Sequence, residues 1–193
     1  IMLPHFGIEG QQQLQDAHVV VMGVGGLGRP AAMNLAAAGI GSLTLVDFDT
    51  VDNSNQQRQI VHNINSIGDS KVSSAKGTLL KINPETSIQC VDKKLTLEEL
   101  ESLISGVSCV IDATDNFETR FLINRACVSQ QVALVSAAAI QYEGQISVFD
   151  LTKRDSACYA CLYAESGEEN TNCSYNGVLA PVVGILGSMQ ALE

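Results

Sequence analysis

The chain has 193 residues, of which 46% are hydrophobic and 17% charged, as in folded globular proteins rather than disordered ones. Its 11 basic and 21 acidic residues leave a net charge of −10, which argues against nucleic acid or an anionic membrane as a partner, because binding there depends on Lys and Arg. No apolar run reaches the roughly 18 residues of a membrane span, so we expect a cytoplasmic protein. The length of the chain predicts a single domain over residues 1–193.

Apolar and periodic segments alternate along the chain. Strands are predicted at residues 18–22, 42–46, 87–91, 108–112, 132–136 and 145–149, and helices at 31–38, 70–82, 97–104 and 118–130. This alternation predicts an α/β fold with a doubly wound, mostly parallel sheet and helices on both faces. Residues 152–177 are polar with few periodic apolar positions, which indicates a late crossover loop or a lid.

The first predicted strand runs into GVGGLG, in which Gly23, Gly25 and Gly28 form the GxGxxG pattern of a Rossmann-like fold. Gly23 permits a tight turn, Gly25 lets a phosphate approach the backbone, and Gly28 lets the helix pack on the strand. The helix N-terminus adds N–H groups and a positive dipole. Asp47 ends the next strand, 19 residues after Gly28, where an acid suits ribose hydroxyls. The pattern predicts a nucleotide site, but it fits NAD as well as ATP.

The segment after Asp47 favours ATP. Asn55, Gln57 and Arg58, and later Lys71, follow the strand end that presents Asp47. Ligands of open α/β sheets lie outside the carboxyl ends of the strands. Two cations there suit a triphosphate, with about four negative charges, better than the pyrophosphate of NAD, which a helix N-terminus can largely satisfy. For Arg58 or Lys71 considered alone, an ordinary exposed charge is the alternative.

The segment VIDATDNFETR places acids after another predicted strand. Asp112 and Asp115 are expected at the same edge of the sheet as the glycine loop. A carboxylate among phosphates is repelled unless a cation lies between them, which indicates Mg²⁺. The alternative is a helix N-cap, since Asp and Asn are favoured there. Both interpretations can hold together, with Asp112 or Asn116 acting locally and Asp115 on the metal.

Several ordered motifs resemble the ThiF/MoeB (HesA/MoeB/ThiF) family, bacterial relatives of the ubiquitin-activating enzymes: GVGGLG, LVDFD, SNQQRQ, DSKVSSA, DATDNFETR, EGQISVF, CYAC and GVLAPVVGILGSMQALE. The resemblance covers essentially the whole chain. It implies an ATP-dependent adenylyltransferase, a nucleotidyltransferase that activates the C-terminal glycine of a small ubiquitin-like sulfur carrier ending in Gly-Gly. The product is an acyl-adenylate, and pyrophosphate is released. The carrier, of ThiS or MoaD type, then receives sulfur for thiamine or molybdopterin biosynthesis.

An NAD(P)-dependent oxidoreductase is the alternative, and it rests on the glycine loop and Asp47 alone. The resemblance also implies individual roles: Asp47 matches the ribose ligand, Gly26 belongs to the phosphate loop, and Asp115 matches the catalytic, Mg²⁺-associated aspartate. The residues matched to the triphosphate, or lying beside those positions, are Asn55, Gln57, Arg58, Lys71 and Asn116. A C-terminal carboxylate with a pKa of about 3.5 is already ionised and needs no general base, which agrees with the lack of a Ser-His or His-Asp motif.

The late cysteines need a separate interpretation. Cys158 and Cys161 form a CxxC that could be half a zinc site or a redox pair. The resemblance implies structural Zn²⁺, with a second CxxC lying after residue 193. Cys173, twelve residues past Cys161, matches a cysteine that forms an acyl persulfide with the carrier in ThiF-like members. The alternative for Cys173 is an inert loop thiol.

The resemblance further implies a homodimer. In family members an arginine-containing stretch upstream of the residue 1 position reaches into the neighbouring subunit's nucleotide site. We therefore expect the sequence to be truncated at both ends. We also expect weaker ATP chemistry without that arginine, which a comparison of longer and shorter versions of the protein would test.

Overall fold

The computed structural model describes residues 6–51, 68–153, 155–164 and 177–193. The strands are β1 (His18–Met22), β2 (Ser42–Val46), β3 (Ser87–Val91), β4 (Cys109–Asp112), β5 (Ala133–Ile140) and β6 (Glu143–Phe149). The helices are α1 (Gly7–Asp16), α2 (Gly28–Ala38), α3 (Lys71–Ile82), α4 (Leu97–Ile104), α5 (Phe117–Gln130), α6 (Tyr159–Leu162) and α7 (Ala180–Leu192). Within these ranges no helix is long and apolar enough to cross a lipid bilayer.

The strands form one sheet in the order β3-β2-β1-β4-β5-β6. The strands from β3 to β5 pair in parallel, and β6 pairs antiparallel with β5. This confirms the predicted mostly parallel, doubly wound sheet. Met22 is in register with Val46 on β2 and with Asp112 on β4, so these three strands end at the same level. The strand order reverses between β1 and β4, and a ligand crevice is expected at such a switch point.

Both faces of the sheet are buried, as the continuous apolar run of β1 predicts. Val20 and Met22 belong to the hydrophobic cluster formed with α4 and α5. Val19 and Val21, which point the opposite way, belong to the cluster formed with α2 and α3. The helices are thus distributed over the two faces, and the described residues directly after β1, β2 and β4 remain at the edge where a site can form.

The last two strands are longer than predicted and form a hairpin. The predicted strands ended at residue 136 and began again at 145, whereas β5 continues to Ile140 and β6 begins at Glu143. The connecting Gln141 has a φ of 52°, in the left-handed region that tight hairpin turns require. Such a short connection allows only antiparallel pairing, which explains the direction of β6. Helix α7 packs against both strands and against α2.

Gly28 allows the closest approach between α2 and the glycine loop. A methyl group at Gly28 would lie 1.8 Å from the Gly23 carbonyl oxygen, so Gly28→Ala is expected to lower the free energy of unfolding by about 3 kcal/mol. Gly77, inside α3, has nothing within 4 Å of the corresponding position. Gly77→Ala is therefore the matched control and should raise the free energy of unfolding by about 0.5–1 kcal/mol. Urea unfolding measures both, and a Gly28→Ala variant as stable as the parent would contradict this packing.

Candidate nucleotide site

A cavity of about 280 Å³ lies at the predicted switch point, beyond the carboxyl ends of β1, β2 and β4. Most of the predicted nucleotide-site residues in the described part of the chain line it: Gly23, Gly25, Gly26, Asp47, Lys71, Asp115 and Asn116. Gly28 begins α2 below the cavity and packs against Gly23. The predicted site residues Asn55, Gln57, Arg58 and Cys173 lie outside the described residues, as do residues 154 and 165–176 of the predicted crossover loop.

The glycine loop is held against the end of β2. Gly23 has a φ of 85°, and its N–H donates to the Val46 carbonyl oxygen at 2.8 Å. The next N–H, of Val24, donates to Asp47 Oδ2 at 2.7 Å. Loop and acid are therefore joined directly by hydrogen bonds. The sequence predicted that both would contact one nucleotide, and the structure places them side by side on the cavity wall.

Asp47 is a carboxylate with several charged neighbours. Its Oδ1 accepts a hydrogen bond from the Asp49 N–H at 2.9 Å. Burial raises the pKa of Asp47 above its ordinary value, while the charge of Lys71 and the two backbone N–H donors oppose that rise. A partly desolvated, backbone-bonded carboxylate is a strong acceptor for hydroxyl groups. Asp47 therefore has the environment that the predicted ribose ligand requires.

A pH dependence of ribose binding follows from Asp47. The affinity for adenosine is expected to fall as the pH is lowered through the raised pKa of Asp47, because protonation removes an acceptor of ribose hydroxyls. Since burial raises that pKa, the fall should begin at a higher pH than the ordinary value of an aspartate permits. Adenosine is the suitable probe because it carries no titrating phosphate. Fluorescence or calorimetric titration between about pH 4 and 7 measures the effect.

The matched variant for this pH dependence is Asp47→Asn. It should bind adenosine more weakly at neutral pH and show no fall in affinity on acidification, because the amide does not ionise. A parent chain whose adenosine affinity stays flat over that range, or an Asp47→Asn variant with the parent's profile, would contradict the assignment of Asp47 to the ribose.

Lys71 is a buried cation on the cavity wall. Its side chain is 8% exposed, and its Nζ lies 2.6 Å from Asp49 Oδ2. It begins α3, and its backbone N–H donates to the Asp49 carbonyl oxygen at 3.1 Å. Lys71 is therefore not an ordinary exposed charge. Because its ammonium group is held at the cavity by burial and by an ion pair, it is available to an anionic ligand without a large rearrangement.

The loop after β4 is anchored by Asp112. Its Oδ1 accepts hydrogen bonds from the Thr114 N–H at 3.1 Å and the Thr114 hydroxyl at 2.6 Å, and its Oδ2 accepts from the Ser136 hydroxyl at 2.8 Å. Arg120 Nη2 donates to the Thr114 carbonyl oxygen, and Gln190 Nε2 from α7 donates to the Asp112 carbonyl oxygen at 2.8 Å. Asp112 thus acts locally, as one of the two interpretations of this segment stated.

Asp115 and Asn116 divide the remaining roles in this loop. Asn116 is the N-cap of α5, where its Oδ1 accepts from the Thr119 N–H at 2.9 Å. The Asp115 carboxylate is exposed at the cavity, and no side chain or N–H in the described ranges pairs with it. Mg²⁺ commonly binds through one or two carboxylates together with substrate phosphates. An uncommitted carboxylate on the cavity wall fits that coordination.

The cavity wall also contains residues that were not predicted for the site, among them Phe48, Lys93, Lys94 and Leu95. Phe48 directly follows Asp47, and its exposed ring suits stacking on a nucleobase. Lys93 to Leu95 follow β3, whose Val91 is in register with Val46 on β2. Parallel pairing of the predicted strands places the residues after β3 at the same edge of the sheet. Their position after a predicted strand could therefore have indicated that they line the site.

Cys158 and Cys161 lie away from the cavity, around the start of α6. Their Sγ atoms are 3.5 Å apart, and Asn124 Nδ2 donates to Cys158 Sγ at 3.7 Å. Two thiolates on a tetrahedral zinc ion with bonds of about 2.3 Å lie about 3.8 Å apart, so this pair fits two of four ligands. In the described part of the chain, no group of three or more ligating side chains occurs.

The known proteins that are similar in sequence agree with the family resemblance of the motifs. A family model described as the ThiF family matches residues 1–193. The molybdopterin-synthase adenylyltransferase of Salmonella typhimurium is 46% identical over 193 residues, covering all of this chain and 77% of that protein. The adenylyltransferase and sulfurtransferase MOCS3 of Drosophila yakuba is 43% identical over 195 residues, which is all of this chain but only 43% of that protein.

Solved structures are similar in fold. The Escherichia coli tRNA N6-threonylcarbamoyladenosine dehydratase TcdA matches 72% of this chain with a TM-score of 0.68 and 33% identity. A structure of Escherichia coli MccB with MccA-N7isoASN matches 94% of this chain with a TM-score of 0.82 at 24% identity, a likeness that concerns the fold alone. The chain spans a little over half the length of these solved chains, 59% and 56% respectively.

Proposed function

Because the chain belongs to the ThiF family, we propose that it is an adenylyltransferase that uses ATP to activate the C-terminal carboxylate of a small sulfur carrier protein. The single observation that carries this proposal is the cavity at the switch point. It combines a glycine loop, a ribose-type acid, a buried lysine and an uncommitted aspartate. A dinucleotide would have little use for the last two. The relatives that are 40–46% identical are named adenylyltransferases, which also disfavours the oxidoreductase alternative.

The chemistry that this site would perform is an attack by a carboxylate on phosphorus. An oxygen of the carrier's terminal glycine attacks the α-phosphorus of ATP, the bond to the bridging oxygen of the β-phosphate breaks, and pyrophosphate leaves with the electron pair. The nucleophile is already an anion, so no proton has to be removed. The protein must align the two anions and neutralise the charge on the leaving pyrophosphate. We assign this role to Lys71, whose position on the cavity wall supports it, and also to Arg58.

Mg²⁺ would be held by Asp115 together with the phosphates of ATP, and when bound it supplies additional positive charge to them. Asp47 would bind the ribose hydroxyls, and the N–H groups of Gly25 and Gly26 would face the phosphates. Phe48 would contact the adenine. These assignments are supported by the position of each residue on the cavity wall.

The carrier that we propose is of MoaD type. The support is that the 46% identical relatives are named molybdopterin-synthase adenylyltransferases, whereas a ThiS-type carrier, and with it thiamine biosynthesis, has no corresponding support. For Cys173 we propose an acyl-persulfide link to the carrier, in which a Cys173 persulfide, formed by a sulfane-sulfur donor, attacks the carbonyl of the acyl-adenylate and AMP leaves. Its test is Cys173→Ala, which should leave acyl-adenylate formation intact and abolish only a later persulfide product.

Structural Zn²⁺ is proposed at Cys158 and Cys161, which would supply two thiolate ligands. Metal analysis of the purified protein should find zinc, and replacing both cysteines by serine should remove it. We also propose a homodimer. Helix α7 supports it because the apolar side chains of Ile185 and Leu192 are 62% and 82% exposed. Light scattering should give twice the mass of one chain.

The decisive experiment is exchange of labelled pyrophosphate into ATP, measured with a MoaD-type carrier, a ThiS-type carrier and no carrier. Exchange that depends on the MoaD-type carrier, with an acyl-adenylate detected by mass spectrometry, is the expected result. Exchange that depends only on the ThiS-type carrier would overturn the choice of carrier. ATP binding without exchange on either carrier, or hydride transfer to NAD(P), would overturn the proposed function itself.

A further inference from the structure

Arg29 is a buried cation that the nucleotide site described above does not use. It lies in the first turn of α2, directly behind the glycine loop, and is only 4% exposed. A positive charge at a helix N-terminus opposes the helix dipole, and burial of a guanidinium is costly. Burial lowers the pKa of Arg29 to about 10, although the negative charge of Asp47 counteracts part of that effect. Helix stability alone therefore gives no reason for a cation at this position.

The side chain of Arg29 contacts one particular peptide group. Its Nε donates a hydrogen bond to the Val24 carbonyl oxygen at 3.1 Å. That carbonyl and the Gly25 N–H belong to the same planar, trans peptide group, so the N–H points in the opposite direction, away from the guanidinium. Gly25 lines the cavity. Within the described ranges no backbone carbonyl accepts a hydrogen bond from this N–H. The N–H is thus available to a ligand.

When the carbonyl oxygen of a peptide group accepts a hydrogen bond, the N–H of the same peptide group becomes a stronger donor. A hydrogen bond to the carbonyl oxygen polarises the peptide, and in a low-dielectric environment this effect is enhanced, the more so with a charged donor. The same hydrogen bond fixes the orientation of the peptide plane. The preceding peptide group, between Gly23 and Val24, is also held, because its Val24 N–H donates a hydrogen bond to Asp47 Oδ2 at 2.7 Å. Arg29 and Asp47 together therefore hold Val24 at both of its backbone polar groups.

We propose that Arg29 is a positioning residue of the phosphate loop. It holds and polarises the Val24–Gly25 peptide so that the Gly25 N–H is directed at the phosphate of a bound nucleotide, without itself touching that nucleotide. This inference rests on the proposed function only in requiring that a nucleotide phosphate binds at the glycine loop. It does not depend on which carrier is activated.

The test compares ligands that share adenosine but differ in phosphate. Dissociation constants for adenosine, AMP and ATP are measured by calorimetry for the parent, Arg29→Met, Arg29→Lys and Arg125→Met. We expect Arg29→Met to weaken the binding of AMP and ATP by about 10–100-fold, the size of a charge-assisted hydrogen bond, and the binding of adenosine by less than about twofold. Arg29→Lys should recover part of the loss by restoring the charge. Arg125→Met, which removes the same charge from the exposed side of α5, should change none of the three constants.

Equal weakening of adenosine, AMP and ATP in Arg29→Met would show a merely structural role and overturn the inference, as would unchanged binding of all three. If Arg29→Met does not fold, Arg29→Gln, which retains a neutral donor, replaces it and must give the same selective loss for phosphate-bearing ligands. Failure of the proposed function is distinguishable. If the parent binds ATP but shows no exchange with either carrier, the proposed function fails and the Arg29 comparison can still be made. If exchange succeeds but the Arg29 variants lose affinity for all three ligands equally, only the role of Arg29 is contradicted.

Discussion

Replacing Lys71 by methionine is expected to reduce carrier-dependent pyrophosphate exchange by about 10²–10³-fold, the usual effect of removing one preorganised charge from a developing anion. Lys71 is a buried cation of the described cavity wall, with its side chain 8% exposed. Because negative charge accumulates on the departing pyrophosphate, the rate of adenylation should fall more than the affinity for ATP. Rapid-quench measurement of acyl-adenylate formation, together with ATP titration, separates the two quantities.

The surroundings of Lys71 make this substitution interpretable. Methionine matches the length of lysine and suits a buried position. The Asp49 carboxylate that loses its partner is 54% exposed, so it stays hydrated and the fold should survive. The controls are Lys71→Arg, which keeps the charge and should lose less, and Lys81→Met at the exposed end of α3, which should not change exchange. A Lys71→Met variant within about threefold of the parent rate would remove Lys71 from the proposed chemistry.

Replacing Asp115 by asparagine is expected to lower exchange by about 10²-fold or more, because the side chain then loses the charge that attracts Mg²⁺. A different effect, on the affinity for ATP, is expected when Mg²⁺ is withheld. Without the metal, removal of a carboxylate from the cavity should leave ATP binding unchanged or make it tighter, since one source of repulsion is gone. Titration of ATP with and without Mg²⁺ therefore tests the role of Asp115 more sharply than activity does.

Glu118→Gln is the matched control for Asp115→Asn. Glu118 lies three residues later in the first turn of α5, and its carboxylate is 3.7 Å from Lys94 Nζ with both side chains well exposed. Losing this charge should change neither exchange nor the Mg²⁺ dependence, because exposed ion pairs contribute little. An Asp115→Asn variant that keeps both the parent rate and the parent response to Mg²⁺ would assign the metal to other residues.

The sequence predicted the strand-helix alternation and the edge at which the site forms. Both depend on local features, namely apolar periodicity, the glycine pattern after β1 and the acid that directly follows β2. A local role for Asp112 or Asn116, with a helix N-cap as one of two interpretations, was also foreseen, and the hydrogen bonds show Asn116 as the N-cap and Asp112 as an anchor of the loop. The hairpin of β5 and β6 was not foreseen, because the predicted strands stopped short of the turn at Gln141.

Burial and charge pairing could not be derived from local pattern. Lys71 and Arg29 both stand in the first turn of a helix, and nothing in their neighbouring residues distinguishes them from exposed charges. Lys71 is paired with Asp49, 22 positions away, and Arg29 lines a small cavity together with residues of α3, so their surroundings exist only after folding. The same holds for Phe48 and Lys93, which reach one cavity from the ends of different strands.

The sequence by itself thus determined the class of fold and predicted the phosphate loop and the kind of ligand, because glycine conformation, hydrophobic periodicity and residue type are properties of short segments. Only the tertiary structure decided which charges are buried, which carboxylate stays uncommitted and which peptide of the loop is held by Arg29. These features depend on solvent exclusion and on distances between segments far apart in the chain. Free energies of that kind arise from the packed molecule and not from any one stretch of it.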